Sequence, residues 1–447
     1  MGPQIPKLRS YFAATGGFAD GSDSPSAFLE RCIAEMEARE DDVKAFVCRN
    51  LNAARAVAEA STKRWQTGKQ FSLIDGMPVG VKDVMETADM PTSQGSPLFV
   101  GMETGRDCAA VVALREAGAI MVGKTVTTEF AATHPGVTRN PWDLERTPGG
   151  SSSGSAAAVG SGMLSGGTGS QVIGSIIRPS GYCGAFGYKP SVGGINRGGS
   201  FDGFSQSCTG MIAASLAECW LMTREITSRT GGDAGYTGVI GPMELPAAKK
   251  PKKIAMLYTA GWGNATDCAK AEWQRARDTF EASGIAVQDR SNNAEVEAVE
   301  QAIFNAMELS MNINAWEGRF PLDTYERDMD SSKLSESAHN RLKQALSMTQ
   351  DQFSELLVER DRVRNVYAAL NGQFDVCVTL SAPGAAPRGL EWTGDPLFTV
   401  PTSLVGMPTV TLPLLQDEGL PLGLQIIGHT NADADLFAHA GGILNLF

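Results

Sequence analysis

Apolar positions in the first part of the chain recur with the spacing of amphipathic helices. Behind Ser24 and Pro25, a pair typical of a helix N-terminus, the positions i, i+3, i+4 and i+7 are Leu29, Cys32, Ile33 and Met36. A second helix is predicted over residues 51–65. We therefore assign residues 1–70 to N-terminal helices.

Short apolar runs then alternate with further helical patterns. Strands are predicted at 77–83, 119–122 and 374–380. Helices are predicted at 108–117, along a stripe from Trp273 to Phe280 that ends at Gly284, and along a stripe from Phe353 to Leu370. The alternation predicts a layered α/β architecture. The Gly- and Pro-rich stretch 230–251 is the best internal boundary, and it separates a central segment, 71–230, from the remainder, 231–447.

Composition and charge narrow the function classes. The chain has 447 residues, 42% of them hydrophobic, and a formal net charge of −12. This acidic balance argues against a broad surface for nucleic acid or anionic membranes. The one basic run, residues 249–253, is interpreted as a solvated loop that leads into a strand.

The cysteines and the apolar runs indicate the compartment. Eight cysteines are scattered without a C-x-x-C pair, which is typical of reduced thiols and not of a disulfide framework or a zinc site. No run approaches the length of a membrane span, and no apolar stretch follows Lys7 and Arg9 as in a secretory leader. We expect a cytoplasmic protein, as a monomer or a homodimer.

A tract at residues 149–179 holds nine glycines and eight serines. A flexible linker has this composition, and so does a loop whose backbone N–H groups turn inward to hold an oxyanion. The tract also carries apolar pairs at 172–173 and 176–177, and an aromatic-rich segment follows at 182–188. This apolar density indicates that the tract is packed inside the protein.

Two shorter motifs match known functional signatures. Residues 118–125 match G-x-x-x-x-G-K-T, but a phosphate-binding loop needs a strand before it and a helix after it, and here the order is reversed. Residues 150–154 match G-x-S-x-G with Ser152 at the centre. A nucleophile elbow requires a hydrophobic strand leading into the turn, whereas residues 144–149 are polar and contain Pro148. None of the four histidines lies in a sequence context that is typical of a catalytic base.

A serine nucleophile still needs a base. A buried lysine can serve, because desolvation lowers its pKa by up to about 3–5 units. Lys82 ends an apolar run that reads as a strand, and it does not lie on a helix face. Most lysines are solvated surface residues, so the position alone leaves both interpretations of Lys82 open.

With these residues in view, the sequence resembles the amidase signature family over most of its length. The matching motifs, in chain order, are GMPVGVKD (76–83), GKT (123–125), NPW (140–142), PGGSSSGSAA (148–157), GSI (174–176) with Pro179, GYKP (187–190), FT (398–399), GMP (406–408) and LPLGLQ (420–425). The resemblance implies one large α/β/α domain in which helices cover a central mixed sheet. It implies no cofactor and no metal.

The resemblance also implies roles for individual residues. The family's two serines are typically 24 residues apart, which places Ser151 at the cis-serine and Ser175 at the nucleophile. Lys82 then takes the position of the base in a Ser–cis-Ser–Lys triad. The implied oxyanion hole consists of the N–H groups of Val172, Ile173, Gly174 and Ser175. Gly150, Ser152 and Arg178 correspond to supporting positions. Phe130 and Ala131 correspond to the acyl side of the substrate pocket.

Departures from the family pattern bear on the substrate. Many members have an aspartate where this chain has Gln171, and an arginine one place before Arg178. This variant resembles the branch that acts on small amides, ureas or carbamates, so we expect a hydrolase of linear amides or carbamates, or of a related ester, with an acyl-enzyme intermediate. The alternatives are a glutamine amidotransferase subunit of the same family, a Ser-His-Asp esterase using Ser152, and an inactive binding protein on this fold.

Overall fold

The computed structural model describes residues 5–447. These residues form eleven strands: β1 (Phe46–Arg49), β2 (Pro78–Lys82), β3 (Ile120–Thr125), β4 (Gly166–Gln171), β5 (Phe186–Lys189), β6 (Cys208–Ala213), β7 (Lys253–Met256), β8 (Ala286–Gln288), β9 (Val376–Leu380), β10 (Thr409–Asp417) and β11 (Leu420–Ile427). All eleven belong to one sheet in the order β1-β3-β2-β4-β6-β5-β10-β11-β9-β7-β8.

The same residues form fifteen α-helices: α1 (Thr15–Asp20), α2 (Pro25–Val43), α3 (Leu51–Gln66), α4 (Ala109–Glu116), α5 (Ser153–Gly160), α6 (Ile177–Cys183), α7 (Leu216–Thr230), α8 (Asp267–Ala282), α9 (Ala294–Ile303), α10 (Ala306–Glu317), α11 (Arg319–Asp328), α12 (Glu336–Leu346), α13 (Gln350–Ala368), α14 (Val400–Val405) and α15 (Asp433–Leu444). None of the helices within 5–447 is both long enough and apolar enough to cross a bilayer.

The sheet is mixed, and its parallel part brings two strand ends together. Strands β2, β3 and β4 are mutually parallel, with β2 between the other two, whereas β4 pairs antiparallel with β6. Because β2 and β4 run in the same direction, their carboxyl ends, Lys82 and Gln171, lie at the same edge of the sheet. Most of the apolar core lies against this sheet, beneath the helices.

The structure confirms the predicted α/β class with one large domain and a central mixed sheet. The predicted helices at 25 onward and 51–65 are α2 and α3, and Ser24 accepts a hydrogen bond from Ala27 N at the start of α2. The predicted strand at 119–122 extends to Thr125, so the G-K-T sequence lies in β3 and not in a loop. Lys124 is buried there, with Nζ 2.7 Å from Met85 O and 3.3 Å from Asp83. All eight cysteines are free thiols.

Candidate active site

The amine of Lys82 lies inside the molecule, at the end of β2. Its side chain is 0% exposed. The pairing of Val79 and Gly80 with Gly166 and Gly167 carries the end of β2 alongside the end of β4. Lys82 Nζ consequently lies 2.7 Å from Ser151 Oγ, 2.8 Å from Ser170 Oγ and 3.2 Å from Ser170 O.

Burial changes the acid–base behaviour of this amine. It lowers the pKa of Lys82 from 10.5 to about 7, because the interior solvates an ammonium poorly. The charge of Asp202 acts in the opposite direction and has the smaller effect. Asp202 is 1% exposed, and it accepts hydrogen bonds from Ser200 Oγ at 2.6 Å and Ser207 Oγ at 2.7 Å. A group with a pKa near 7 is suited to general-base chemistry at neutral pH.

The neighbouring serines sit at a tight turn before α5. The peptide bond between Gly150 and Ser151 is cis, and Ser151 is buried. The next residue, Ser152, turns its hydroxyl to β4, where Oγ lies 3.3 Å from Ser170 N and 3.4 Å from Ser170 O. Among residues 5–447 no histidine hydrogen-bonds to Ser152; the imidazoles that have partners contact Glu326, Phe374 O and Lys249 O. Ser152 therefore braces the backbone of Ser170.

Close backbone packing explains part of the glycine content around this turn. A Cβ on Gly154 would lie 2.2 Å from Ala45 O and 2.4 Å from Val126 N. Both are backbone atoms, which cannot move aside as a flexible side chain can. The start of α5 is thus pressed against two other segments, and the tract is a packed part of the core, as its apolar content predicted.

The four residues 172–175 that follow β4 form a loop with an unusual hydrogen-bond pattern. Each of its four carbonyl groups accepts a hydrogen bond: Val172 O from Gln206 Nε2 at 2.9 Å, Ile173 O from Ser403 Oγ at 3.0 Å, Gly174 O from Arg178 N at 3.0 Å and Ser175 O from Ser152 N at 3.2 Å. The N–H groups of the same four residues have no acceptor within the described chain. The loop therefore offers four consecutive free donors, the pattern needed to bind an oxyanion.

Ser175 ends this loop. It is 8% exposed, and its hydroxyl makes no hydrogen bond to any described residue. Lys82 and Ser151 are therefore brought into direct contact, whereas a hydrogen bond between Ser151 and Ser175 is not formed in the described chain.

Gln171, the last residue of β4, holds the loop in place with its side chain. Its Oε1 accepts hydrogen bonds from Ile176 N at 2.9 Å and Ile177 N at 3.0 Å, and its Nε2 donates to Ser403 Oγ at 3.0 Å. Ser403 in turn donates to Ile173 O. A single buried amide side chain therefore spans the loop and joins it to α14.

Arg178 is a buried cation beside the loop. It is 5% exposed, and its guanidinium donates from Nη2 to Gly150 O at 2.9 Å and from Nε to Thr393 O at 2.9 Å. Burial lowers the pKa of Arg178, and the charges of Tyr182 and Asp395 act in the opposite direction. Its Nη1 is buried without a hydrogen-bond partner in the described chain, and a Cβ on Gly174 would lie 3.0 Å from it.

Phe130 and Ala131 lie on the other side of the cis bond. Both have positive φ angles, 50° and 54°, and the preceding Thr128 donates from its N–H to Ser151 O at 3.3 Å. The Phe130 ring packs edge-on to Phe99 and tilted against Tyr325, at centroid distances of 6.3 and 5.4 Å. The aromatic cluster therefore includes a residue only two positions after Thr128, whose N–H holds the Ser151 carbonyl.

Comparison with known proteins places the chain in a family. A family model described as Amidase matches residues 27–437. The chain belongs to the amidase signature family. A similar curated protein is a glutamyl-tRNA(Gln) amidotransferase subunit from Anaeromyxobacter sp. (strain K), which is 29% identical over 96% of this chain and 94% of that protein.

Solved structures of amidase signature proteins have the same fold. An amidase crystal structure superimposes with a TM-score of 0.84 and 25% identity, and covers 98% of this chain and 99% of that one. The structure of 6-aminohexanoate cyclic dimer hydrolase gives a TM-score of 0.82 with 21% identity, over 98% of this chain and 96% of that one, and at this identity it shows the fold alone. The similarity extends over the whole sheet and is not confined to the Gly/Ser tract.

Sequence reasoning missed several residues around Lys82. Ser170 was available from the strand pattern, because Thr168 and Ser170 share one face of β4 and Thr168 Oγ1 accepts a hydrogen bond from Lys82 N at 3.0 Å. Asp202 and Gln206 lie in an irregular loop without a pattern. Ser403 comes from a helix 230 residues beyond the carbonyl it holds, so that no local signal marks it.

Proposed function

We propose that this protein hydrolyses a C–N bond of a small linear amide or carbamate, with Ser175 as nucleophile, Ser151 as proton relay and Lys82 as base. The contact that carries the proposal is the 2.7 Å distance between a fully buried lysine amine and Ser151 Oγ, next to a cis peptide bond. A lysine in this setting is neutral in a substantial fraction of molecules at pH 7, because its pKa is about 7.

The reaction begins when Ser175 Oγ attacks the carbonyl carbon of the substrate. A new C–O bond forms, and the π electrons of the carbonyl move to its oxygen. The proton of Ser175 passes to Ser151 Oγ as the proton of Ser151 passes to Lys82 Nζ, which becomes an ammonium. The free N–H groups of residues 172–175 then stabilise the negative oxygen, and one such donor contributes about 3 kcal/mol.

Collapse of the tetrahedral intermediate completes acylation. The electron pair on the oxyanion re-forms the carbonyl, the C–N bond breaks, and the relay returns its proton to the departing nitrogen. Water then enters in place of the amine and attacks the acyl carbon as its proton passes through the relay to Lys82. The bond from the acyl carbon to Ser175 Oγ breaks, and the relay returns the proton to Ser175. The acyl group leaves as a carboxylic acid or, from a carbamate, as a carbonic half-ester that loses carbon dioxide.

The residues around Ser151 support an apolar acyl group. Phe130 is half-buried, and its ring joins those of Phe99 and Tyr325 in one aromatic cluster. Ala131 is buried beside it. We infer that the acyl side accepts an alkyl or aryl substituent, and that the reaction requires no cofactor.

One mass-spectrometric experiment tests the assignment directly. The protein is treated with a fluorophosphonate, and the modified peptide is identified. We expect a single adduct on Ser175 that is lost in Ser175→Ala and Lys82→Ala but kept in Ser152→Ala and in alanine variants of the four histidines. An adduct on Ser152 that depends on a histidine would support an esterase instead, and turnover of neither an anilide nor a carbamate would indicate a binding protein.

A glutamine amidotransferase subunit is the second candidate. Curated relatives of that name are similar along nearly the whole chain, at 29% identity. An enzyme of this kind releases ammonia from glutamine, so glutaminase activity exceeding anilide and carbamate hydrolysis would favour it. Gln171 and the net charge of −12 favour the small-amide hydrolase instead.

A further inference from the structure

The surroundings of the Lys82 amine have a definite hydrogen-bond capacity. Three protein oxygens lie within 3.2 Å of Nζ, and two of them belong to Ser170. The Ser170 carbonyl can only accept. The Ser170 hydroxyl has no hydrogen-bond partner other than Lys82 in the described chain. Ser170 therefore presents two acceptor oxygens to one amine.

This arrangement suits both charge states of the lysine. A neutral amine has two N–H groups and one lone pair. When both N–H groups are directed to Ser170, the lone pair faces Ser151, which is the orientation needed to receive its proton. An ammonium has three N–H groups, and the same three oxygens accept all of them. These three acceptors offset part of the cost of burying the ammonium produced during attack, and an interaction that strengthens in the transition state speeds a reaction.

We propose that Ser170 is a positioning residue for the base, whose hydroxyl directs the lone pair of Lys82 to Ser151 and then holds the ammonium. The inference rests on the proposed function, since it assigns no new substrate or reaction. Pairing of Ser170 with Thr209 in the β4–β6 ladder, together with the contacts of Ser152 Oγ to the Ser170 backbone, keeps this hydroxyl in place.

The hydroxyl is tested with Ser170→Ala and Ser170→Thr. The matched control is Ser155→Ala, because Ser155 is a buried hydroxyl that bonds to Thr125 Oγ1 at 2.6 Å and Thr168 O at 2.9 Å without touching Lys82. The measurement is the rate of fluorophosphonate labelling from pH 5 to pH 9, which needs no knowledge of the substrate. Circular dichroism and thermal unfolding verify that each variant is folded.

In Ser170→Ala we expect the plateau rate to fall about tenfold or more and the acid limb to move to lower pH by on the order of one unit. The sign follows because an ammonium that has lost an acceptor gives up its proton more readily. Ser170→Thr should match the wild type in both quantities, and so should Ser155→Ala.

A folded Ser170→Ala whose labelling rate rises at the same pH as in the wild type would overturn the inference, whatever its maximal rate. Loss of packing alone slows labelling without changing the pH at which the rate rises. A limb that also moves in Ser155→Ala, or that moves equally in Ser170→Thr, would overturn it as well. Failure of the proposed function would give a different result: the Ser175→Ala variant would be labelled as the wild type is.

Discussion

Replacement of Lys82 by methionine tests the burial of a titrating amine without any substrate. Methionine has a similar length and no charge, so Lys82→Met removes the proton-binding group from a fully buried position. It also removes the hydrogen bonds to Ser151 and Ser170, a cost that does not vary with pH. The pH-dependent part of the change in unfolding free energy therefore reports on Lys82 alone.

The size of this part follows from the two pKa values of Lys82, 10.5 for the ordinary side chain and about 7 in the folded protein. Between them the unfolded chain binds one proton more than the folded chain, so the wild type gains stability relative to the variant as pH rises. The full span is worth on the order of 5 kcal/mol, at about 1.4 kcal/mol per pH unit. Below about pH 7 both states hold the proton, and the gap between the proteins stops changing.

Pulse proteolysis in urea gives the free energy of unfolding for both proteins at pH 7, 8 and 9. Between pH 7 and pH 9 we expect the unfolding free energy of the wild type to rise by about 2 kcal/mol relative to that of Lys82→Met. The contributions of other titrating groups are the same in both proteins and cancel. Lys63→Met provides the control, because its ammonium is exposed and pairs with Glu59 on the surface of α3. A gap that stays constant from pH 7 to pH 9 would refute the argument, since it would mean that Lys82 keeps its proton in the folded protein.

Three further predictions concern activity. Hydrolysis and Ser175 labelling should rise with pH through a single inflection near 7 and then level off, as Lys82 loses its proton; an inflection above pH 9 would contradict this. Arg178→Lys should reduce kcat/KM at least tenfold, because one ammonium cannot replace the two guanidinium nitrogens that donate to Gly150 O and Thr393 O; stopped anilide assays would show unchanged rates if those anchors were dispensable. Gly174→Ala should reduce labelling by about 100-fold, because its Cβ would lie 2.1 Å from Thr399 Oγ1, and a second change, Thr399→Gly, should restore part of the rate if that contact is the cause.

Local pattern is enough to predict the main elements near the site. Lys82 stands out because it ends an apolar run, and the run is indeed β2, buried along its whole length. The predicted end of β3 is too early because Gly123, Lys124 and Thr125 look polar. Lys124 is nevertheless buried, since Met85 O and Thr92 Oγ1 accept its protons from positions 39 and 32 residues away. Periodicity cannot register partners that only the fold brings together.

The hydrogen bonds that hold the loop at 172–175 could not be predicted from the sequence for the same reason, because their partners are brought together only by the fold. The carbonyl groups of the loop are held by four donors, and two of these donors, Gln206 and Ser403, lie outside the Gly/Ser tract. Arg178 similarly reaches Thr393, 215 residues further along. The motif resemblance supplies the positions of Ser151 and Ser175 but not these contacts, which depend on how β6, α14 and the loop before α14 pack around the tract.

The hydrogen-bond directions around Ser403 explain why a glutamine suits position 171 in this chain. Ser403 has one hydroxyl proton, and it is used to hold Ile173 O. The hydroxyl must then accept whatever bond joins it to residue 171, and Gln171 Nε2 donates that bond while Oε1 still accepts from Ile176 N and Ile177 N. An aspartate or glutamate has no proton to donate at neutral pH, so it would draw the Ser403 proton to itself and leave Ile173 O unpaired. The Gln171 amide and the Ser403 hydroxyl therefore act together. Because Gln171 donates to Ser403, the Ser403 proton stays directed to the carbonyl of Ile173, and the N–H groups of residues 172–175 remain free for a substrate oxygen.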